Sequence, residues 1–306
     1  MTPTLLVHTP LCINHRTGDS HPESPQRYLH IMKELRKLNL FEVPITTPCS
    51  IETLLLCHEQ EYIDLVRDAC LSLKKDAVSQ LITGDVDISH DSFTAARTAV
   101  SAALYAVDAV MKGENQNAFV ITRPPGHHAK RSRGMGFCLF NTVAIAARYL
   151  QNAYNSKKVA IIDWDGHHGN GTASLFLHDP SVLYISTHQK GAYPGTGNTS
   201  CDTSINFPVS SRKEIFSFFE TAIPRFIARF KPECILISCG FDAHRLDPLL
   251  SLDLESEDFG ALTRGLCDLA KTYCSGRIVS ILEGGYHLNA LEESASSHVQ
   301  ALLATN

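Results

Sequence analysis

Four apolar runs of the sequence each end in side chains that can bind a metal or move a proton. The segments that follow these runs are Arg123-Pro-Pro-Gly-His-His128, Asp163-Trp-Asp-Gly-His-His168, Asp242-Ala-His244 and Glu283-Gly-Gly-Tyr286. The carboxyl ends of parallel strands meet at one edge of a sheet, and ligands bind there. We therefore expect the four segments to line one site.

The second of these segments has the residue types and the spacing of a metal site. In extended backbone alternate side chains share a face, so Asp163, Asp165 and His167 would point the same way. Burying two carboxylates and an imidazole together is costly unless an ion binds them. A catalytic zinc takes three such protein ligands, and Asp165, His167 and Asp242 would make that set, with Asp163 orienting a histidine from outside it. A surface turn without a metal is the alternative.

Three further side chains at the same sheet edge are suited to acid-base chemistry. Histidine is the natural general acid or base near neutral pH, which fits His127 and His128. Tyr286 follows a Gly-Gly turn, and its hydroxyl could polarise a carbonyl and stabilise an oxyanion. Each of these residues alone is as typical of a packed core as of catalysis. Beside metal ligands, they indicate a hydrolytic site.

Short β-branched runs alternate with longer helical patterns along the chain, which predicts an α/β fold with a mainly parallel sheet and helices on both faces. The predicted strands are Leu5–His8, Ala118–Thr122, Val159–Asp163, Val182–Thr187, Cys234–Cys239 and Ile278–Leu282. The predicted helices are Pro25–Leu38, Glu61–Leu73, Ser92–Lys112, Leu139–Gln151, Arg212–Phe230 and Glu257–Tyr273. Residues 189–212 form the longest irregular segment and are expected to be a functional loop. We place no domain boundary in residues 1–306.

Composition limits the class of protein. The 306 residues carry a formal net charge of -5, and 44% of them are hydrophobic. A large core is therefore possible, and the charge favours a basic partner, such as a lysine-rich peptide or a polyamine, over nucleic acid. The ten cysteines contain no Cys-x-x-Cys pair, which predicts reduced thiols, and no run has the length of a membrane span. We expect an intracellular protein, most simply cytoplasmic, with the nucleus or a dedicated export machine left open.

Taken together, the motifs resemble those of the zinc-dependent histone deacetylase family along nearly the whole chain. The matching segments are His15, Gly18-Asp-Ser-His-Pro-Glu-Ser-Pro-Gln-Arg27, His58-Glu-Gln-Glu-Tyr62, Arg123-Pro-Pro-Gly-His-His-Ala129, Gly134-Met-Gly-Phe-Cys-Leu-Phe-Asn141, Asp163-Trp-Asp-Gly-His-His-Gly-Asn-Gly171, Tyr193-Pro-Gly-Thr-Gly197, Gly240-Phe-Asp-Ala-His244 and Glu283-Gly-Gly-Tyr286. Several of these forms resemble the class II branch and its bacterial relatives. The resemblance implies an arginase-like fold with a central sheet of about eight strands. It also implies an enzyme that removes acetyl groups from lysine-type amines.

The resemblance further implies ligands and partners for the site residues. Zinc would be held by Asp165, His167 and Asp242, while His127 would pair with Asp163 and His128 with Asn170. The substrate-binding residues would be Phe137 and Tyr193 as aromatic tunnel walls, Asp85 at the rim, and Gly136, Gly284 and Gly285. A structural potassium ion is implied near the zinc, at Asp163, Asp165, Ser186, Thr187 and neighbouring backbone carbonyls.

Two positions depart from the family pattern. His287 stands where class II members usually carry asparagine, and Asn170 replaces the aspartate of class I. His128 should therefore be less readily kept protonated, which leaves the proton-transfer roles of the two histidines open. Our hypothesis is that His128 acts as general base and then as general acid, His127 acts electrostatically, and Tyr286 stabilises the oxyanion.

Four functions remain open on these residues. The first is deacetylation of acetyl-lysine in histones or other proteins, and the second is deacetylation of a small acetylamine by an acetylpolyamine amidohydrolase. A ureohydrolase with two manganese ions would need more carboxylates at the strand ends than the sequence offers. A non-catalytic acetyl-lysine-binding module should have lost a ligand or Tyr286, and this chain keeps them all.

Overall fold

An eight-stranded parallel sheet lies at the centre of the structure, a computed structural model that describes residues 4–304. The strands of the chain are β1 (Leu5–His8), β2 (Glu42–Pro44), β3 (Val78–Gln80), β4 (Asp87–Ser89), β5 (Asn117–Ile121), β6 (Val159–Asp163), β7 (Val182–Gln189), β8 (Ser204–Val209), β9 (Cys234–Cys239) and β10 (Ile278–Leu282). The order across the sheet is β2-β1-β5-β10-β9-β6-β7-β8, and each neighbouring pair is parallel. A separate antiparallel hairpin joins β3 to β4. The predicted fold class is confirmed.

Helices cover both faces of this sheet. They are α1 (Pro25–Leu35), α2 (Ile51–Leu54), α3 (Gln60–Leu71), α4 (Ser92–Met111), α5 (Thr142–Tyr154), α6 (Asn170–Leu175), α7 (Arg212–Thr221), α8 (Ile223–Phe230), α9 (Ser256–Cys274) and α10 (Leu288–Leu303). Short 3-10 turns lie at Pro10–Asn14 and Arg36–Leu38. Among the helices of residues 4–304, none is long and apolar enough to cross a membrane.

Alternate residues of the buried strands face two separate cores, as the period of two in a strand requires. In β6, Val159 and Ile161 pack into the core that α4 and α5 cover. Ala160 and Ile162 pack into the opposite core, which α9 and α10 cover. Both faces of the central strands are therefore apolar, which explains why the strand sequences do not alternate. The ten cysteines are free, and nine of them are buried.

Two predictions about segments are corrected by the structure. Residues 189–212 are not irregular throughout, because the edge strand β8 lies within them. The predicted helix Arg212–Phe230 is two helices, since α7 ends at Thr221 and α8 begins at Ile223. Pro224 lies in the first turn of α8, where its missing N–H leaves no helical hydrogen bond unmade. In the middle of a single helix the same proline would remove a hydrogen bond and clash with the preceding turn.

The sheet order explains how the four chemically active segments meet. They follow β5, β6, β9 and β10, which are consecutive in the order β5-β10-β9-β6. Since all four strands are parallel, their carboxyl ends lie at the same edge. This edge carries the candidate active site.

Candidate active site

Three ligand-type side chains converge where the loops after β6 and β9 meet. Nδ1 of His167 lies 2.7 Å from Oδ2 of Asp242 and 3.3 Å from Oδ1 of Asp165. One ligand atom of each residue lies within 4.8 Å of those of the other two. In the part of the chain that the structure describes, this is the one group of three or more such side chains that could hold a metal. The structure thus brings the three predicted ligands together, and the binding of zinc by them stays a prediction.

The surroundings of the cluster fit a divalent cation. Asp165 and Asp242 are fully buried, and burial together with the charge of Asp165 raises the pKa of Asp242 to about 7. Burial alone would lower the pKa of His167, but the two carboxylates raise it to about 10. The two buried carboxylates thus need compensating positive charge, which a bound cation would supply. Two carboxylates and one imidazole are also a donor set that catalytic zinc accepts.

Backbone N–H groups orient both carboxylates. Oδ2 of Asp165 accepts the N–H of Gly284 at 2.8 Å, and Oδ1 of Asp242 accepts the N–H of Gly166 at 2.6 Å. Gly284 follows β10, so the loops of three neighbouring strands are tied together at the metal ligands. Such hydrogen bonds fix the direction of the coordinating oxygens before an ion binds.

His127 lies against two carboxylates. Its Nδ1 is 3.1 Å from Oδ2 of Asp163, and its Nε2 is 3.7 Å from Oδ1 of Asp165. The hydroxyl of Tyr184 also donates to Oδ2 of Asp163, at 2.9 Å. Burial opposes protonation of His127, but the charges of Asp165 and Asp163 raise its pKa well above the ordinary value. These two carboxylates therefore favour the protonated form of His127.

His128 has the opposite environment, although the two imidazole rings are centred 4.0 Å apart. Its Nδ1 lies 2.7 Å from Oδ1 of Asn170, whose amide N–H donates to the sulfur of Met135. The amide oxygen of Asn170 therefore accepts a hydrogen bond from the N–H of Nδ1, which leaves Nε2 of His128 as an acceptor. Burial, and then the positive charges of His127 and His167, lower the pKa of His128 well below its ordinary value. His128 is neutral and able to take a proton.

Tyr286 is held at the edge of the site by its backbone. Its N–H donates to Oδ2 of Asp247 at 2.8 Å. The buried guanidinium of Arg27 donates to the carbonyl of Gly285 at 2.7 Å and to that of Glu283, and it lies 5.1 Å from the Tyr286 ring centre. Burial raises the pKa of Tyr286 well above its ordinary value, so its hydroxyl keeps a proton to donate.

A cavity of about 230 Å³ opens onto this chemistry. Its lining residues are Asp85, His128, Gly136, Phe137, His167, Tyr193, Leu249 and Tyr286. The Tyr193 ring meets His128 edge-on at 5.2 Å, and the Phe137 ring meets Tyr286 edge-on at 5.8 Å. Gly136 has a φ of +55°, and a Cβ there would collide with the ring of His128. Two aromatic walls thus lead to the imidazoles of His167 and His128 and to Tyr286.

Some predicted residues lie outside the cavity lining that residues 4–304 form. Gly284 and Gly285 do not line it, because their backbone groups bind Asp165 and Arg27. Asp163 and Ser186 are register partners on β6 and β7, and Thr187 is the next residue. Potassium binding at these residues stays a prediction.

Sequence reasoning assigned no role to three residues that organise the site. Oε2 of Glu283 accepts the N–H groups of Gly126 and His127, at 2.7 and 3.1 Å. The carboxylate of Asp247 accepts hydrogen bonds from the N–H groups of Leu249 and Tyr286, and Leu249 lines the cavity. Glu283 directly follows the apolar run of β10, and an acid at that place is a signal in the sequence. No pattern in the sequence marks Asp247 or Leu249.

Comparison with known proteins decides the family. Residues 21–302 match the family model described as histone deacetylase domain. The chain belongs to the histone deacetylase domain family. It is therefore a deacetylase-type amidohydrolase of a zinc-binding family, and the resemblance found in the sequence is confirmed.

Individual members of the histone deacetylase family are similar to this chain over most of its length. The protein named "Histone deacetylase 10, chloroplastic" of Oryza sativa subsp. japonica is 34% identical over 97% of this chain and 73% of its own length. A "Probable deacetylase" of Archaeoglobus fulgidus is 36% identical over 90% of this chain and 79% of its own. A crystal structure of the HDA15 HD domain superposes with a TM-score of 0.90 at 33% identity, covering 100% of this chain and 91% of that one.

Proposed function

We propose that this histone deacetylase-family protein hydrolyses the acetamide of Nε-acetyl-lysine in peptides or proteins, giving lysine and acetate. The observation that carries the proposal is the cavity between Phe137 and Tyr193, whose lining includes His167 of the cluster Asp165, His167 and Asp242. A linear aliphatic side chain fits between aromatic walls, and its acetamide would reach the polar end. Zinc held by the three ligands would polarise the acetyl carbonyl and activate a water molecule.

His128 would move the proton in this reaction. Its Nε2 is free to accept, because the N–H at Nδ1 donates a hydrogen bond to Oδ1 of Asn170. In the proposed sequence it takes a proton from the attacking water and returns it to the amine that leaves. A base with a low pKa gives up its proton readily, which suits the second step. His127, kept positive by Asp163 and Asp165, would stabilise the negative charge that forms beside it.

Tyr286 would stabilise the oxyanion. Its hydroxyl is protonated, and it shares the cavity lining with His128 and His167. A donor that is already in place when negative charge develops on the carbonyl oxygen lowers the barrier without reorganisation. Asp247 and Arg27 hold the backbone that presents this hydroxyl.

An acetylated polyamine is the second candidate substrate. Asp85 is a carboxylate in the cavity lining, and it could bind an ammonium group that stays outside. The net charge of -5 favours a basic substrate of either kind. Leu249, which also lines the cavity, is apolar and cannot accept a hydrogen bond from a second ammonium group. This favours the lysine side chain of a peptide as substrate.

We further propose the domain organisation, the cellular location and a second metal site of the protein. Residues 1–306 act as a single catalytic domain. The protein works in the cytoplasm. A structural potassium ion binds beside the zinc site through Asp163, Ser186 and Thr187, and its supporting observation is the pairing of Asp163 with Ser186 on adjacent strands.

A substrate panel tests the proposed function. Purified, zinc-loaded protein is given an acetyl-lysine peptide, a peptide with a longer acyl-lysine, and acetylspermidine, and kcat/KM is measured for each. We expect the acetyl-lysine peptide to give the highest value. A higher kcat/KM on acetylspermidine would replace the peptide by a polyamine as substrate, and turnover of none of the three would contradict the proposal.

A further inference from the structure

A hydrogen bond joins two residues at the mouth of the cavity. The hydroxyl of Tyr193 donates to Oδ1 of Asp85, with an O–O distance of 3.1 Å. The same oxygen accepts the N–H of Gly136 at 2.8 Å, and the backbone carbonyl of Asp85 accepts the N–H of Phe137 at 3.2 Å. Asp85, in the loop between β3 and β4, is thus bound to both aromatic walls of the cavity.

The loop that carries Tyr193 is fixed at its base. The buried ring of His168 lies 2.7 Å from Oγ1 of Thr196 through Nδ1, and 2.9 Å from Oδ1 of Asn206 through Nε2. His188 donates from Nε2 to the carbonyl of Gly197 at 3.2 Å. These bonds tie the segment after Tyr193 to β7, to β8 and to the loop after β6. The position of the Tyr193 ring is therefore fixed, and so is the position of its hydroxyl donor.

The two oxygens of Asp85 differ as a result. Oδ1 is occupied by two donors, from Tyr193 and Gly136. Within residues 4–304 no hydrogen-bond donor lies on Oδ2, and the side chain is exposed at the cavity mouth. Without the Tyr193 hydroxyl, a single backbone N–H would hold the carboxylate, which could then rotate. The hydroxyl selects one orientation of Asp85 before substrate arrives, which reduces the cost of binding.

We propose that the Tyr193 hydroxyl is a positioning group, which holds Asp85 so that its Oδ2 accepts N–H donors of the substrate that remain outside the cavity. Two substrates carry such donors, since a peptide has backbone amides beside its acetyl-lysine and an acetylated polyamine has ammonium groups. The inference rests on the proposed function and adds to it the pair of residues that selects the substrate.

The variant Tyr193→Phe tests this inference, because it removes the hydroxyl and keeps the aromatic wall. We expect KM for an acetyl-lysine peptide to rise roughly three- to tenfold, the effect of one hydrogen bond, with kcat unchanged. An N-alkyl acetamide without further N–H donors should show the same KM with both proteins. Asp85→Ala should raise KM for the peptide at least as much, and the double variant should add little to Asp85→Ala. Acetylspermidine, measured in parallel, shows whether ammonium groups are accepted as well.

The matched control is Tyr105→Phe, on the exposed surface of α4, which should change neither KM nor kcat. An unchanged KM for the peptide in Tyr193→Phe, or an equal rise for the N-alkyl acetamide, would overturn the inference. Peptide affinity measured by fluorescence anisotropy separates it from the proposed function. Protein that binds the peptide more weakly after Tyr193→Phe, yet hydrolyses nothing, would refute the proposed function and support the role of Tyr193. Absence of both binding and hydrolysis would refute both.

Discussion

The surroundings shift the pKa values of two adjacent histidines in opposite directions, since Asp165 and Asp163 raise that of His127, whereas burial and the charges of His127 and His167 lower that of His128. His127 faces the carboxylate of Asp163, whereas His128 faces the amide of Asn170. A carboxylate stabilises an imidazolium, and an amide oxygen does so far less. The surroundings thus favour a positive charge on His127 and a neutral imidazole on His128, as the proposed hydrolysis requires.

Replacing Asn170 by aspartate should move the pH dependence of the enzyme. A carboxylate at Nδ1 of His128 raises the pKa of that imidazole, and a general base is active only while it is deprotonated. The acidic limb of the profile of kcat/KM against pH should therefore move to higher pH. The control is Asn206→Asp, which makes the same change beside His168, outside the cavity lining of residues 4–304. An acidic limb that stays in place in Asn170→Asp, or moves to lower pH, would argue against His128 as the base.

Tyr286→Phe should reduce kcat by about two to three orders of magnitude, the usual effect of losing one oxyanion donor. The backbone N–H to Asp247 is kept, and no metal ligand changes. Zinc content, measured by elemental analysis, should equal that of the unchanged protein. Full activity of this variant with zinc bound would remove Tyr286 from the mechanism.

At the scale of elements, the buried strands could be predicted and the edge strands could not. Strands β1, β6, β9 and β10 have the predicted bounds, because each is an apolar run buried on both faces. The missed strands β2 and β8 are the two edges of the sheet and are partly exposed. Edge strands need no continuous apolar run, so their sequences resemble loops.

The residues of the candidate site could likewise be predicted only in part. Side chains that end buried strands, such as Asp163 and Glu283, are visible as polar residues after an apolar run. Contacts from a side chain to a distant backbone N–H are not, because they depend on how loops from different strands pack. Asp247, which reaches the N–H of Tyr286 across 39 positions of sequence, is one example. Helix α10 was also missed, since its many alanine and serine residues weaken the apolar period.

Helix α1 supports the site through a buried ion pair. Arg27 and Glu23 are fully buried, and Arg27 also donates to two carbonyls of the loop that carries Tyr286. Arg27→Met should lower the free energy of unfolding by about 3 kcal/mol, the lower end of the cost of breaking a buried pair, because Arg123 still pairs with Glu23.

A surface pair of the same type provides the control for this helix. Arg36 pairs with Glu42 through a side chain that is 59% exposed. Arg36→Met should therefore change the free energy of unfolding by about 1 kcal/mol or less. Urea unfolding followed by circular dichroism measures both variants, and equal effects would contradict the role assigned to the buried pair.

At the scale of the whole molecule, metal binding and folding should be coupled. Asp165 and Asp242 come from neighbouring strands, and folding buries both charges together. A cation that binds the folded state alone stabilises it by mass action, by about 2.7 kcal/mol at a free concentration of a hundred times Kd. Zinc should raise Tm by several degrees above the value in chelator, as measured by differential scanning fluorimetry.

The variant Asp242→Asn is the control for that shift. It weakens a ligand and removes the charge that pairs with His167, so its Tm in chelator should be lower and the increase with zinc should be smaller. An identical Tm with zinc and with chelator in the unchanged protein would mean that no ion binds between these strands.

The central claim is that Asp165, His167 and Asp242 hold a metal at which an acetyl group is hydrolysed. The most direct measurement is the release of acetate from an acetyl-lysine peptide by metal-free protein before and after one equivalent of zinc is added. We expect acetate and free lysine amine in equal amounts after zinc is added, little of either before, and loss of both in Asp242→Asn. Equal acetate release with and without metal, or none from zinc-loaded protein, would contradict the account.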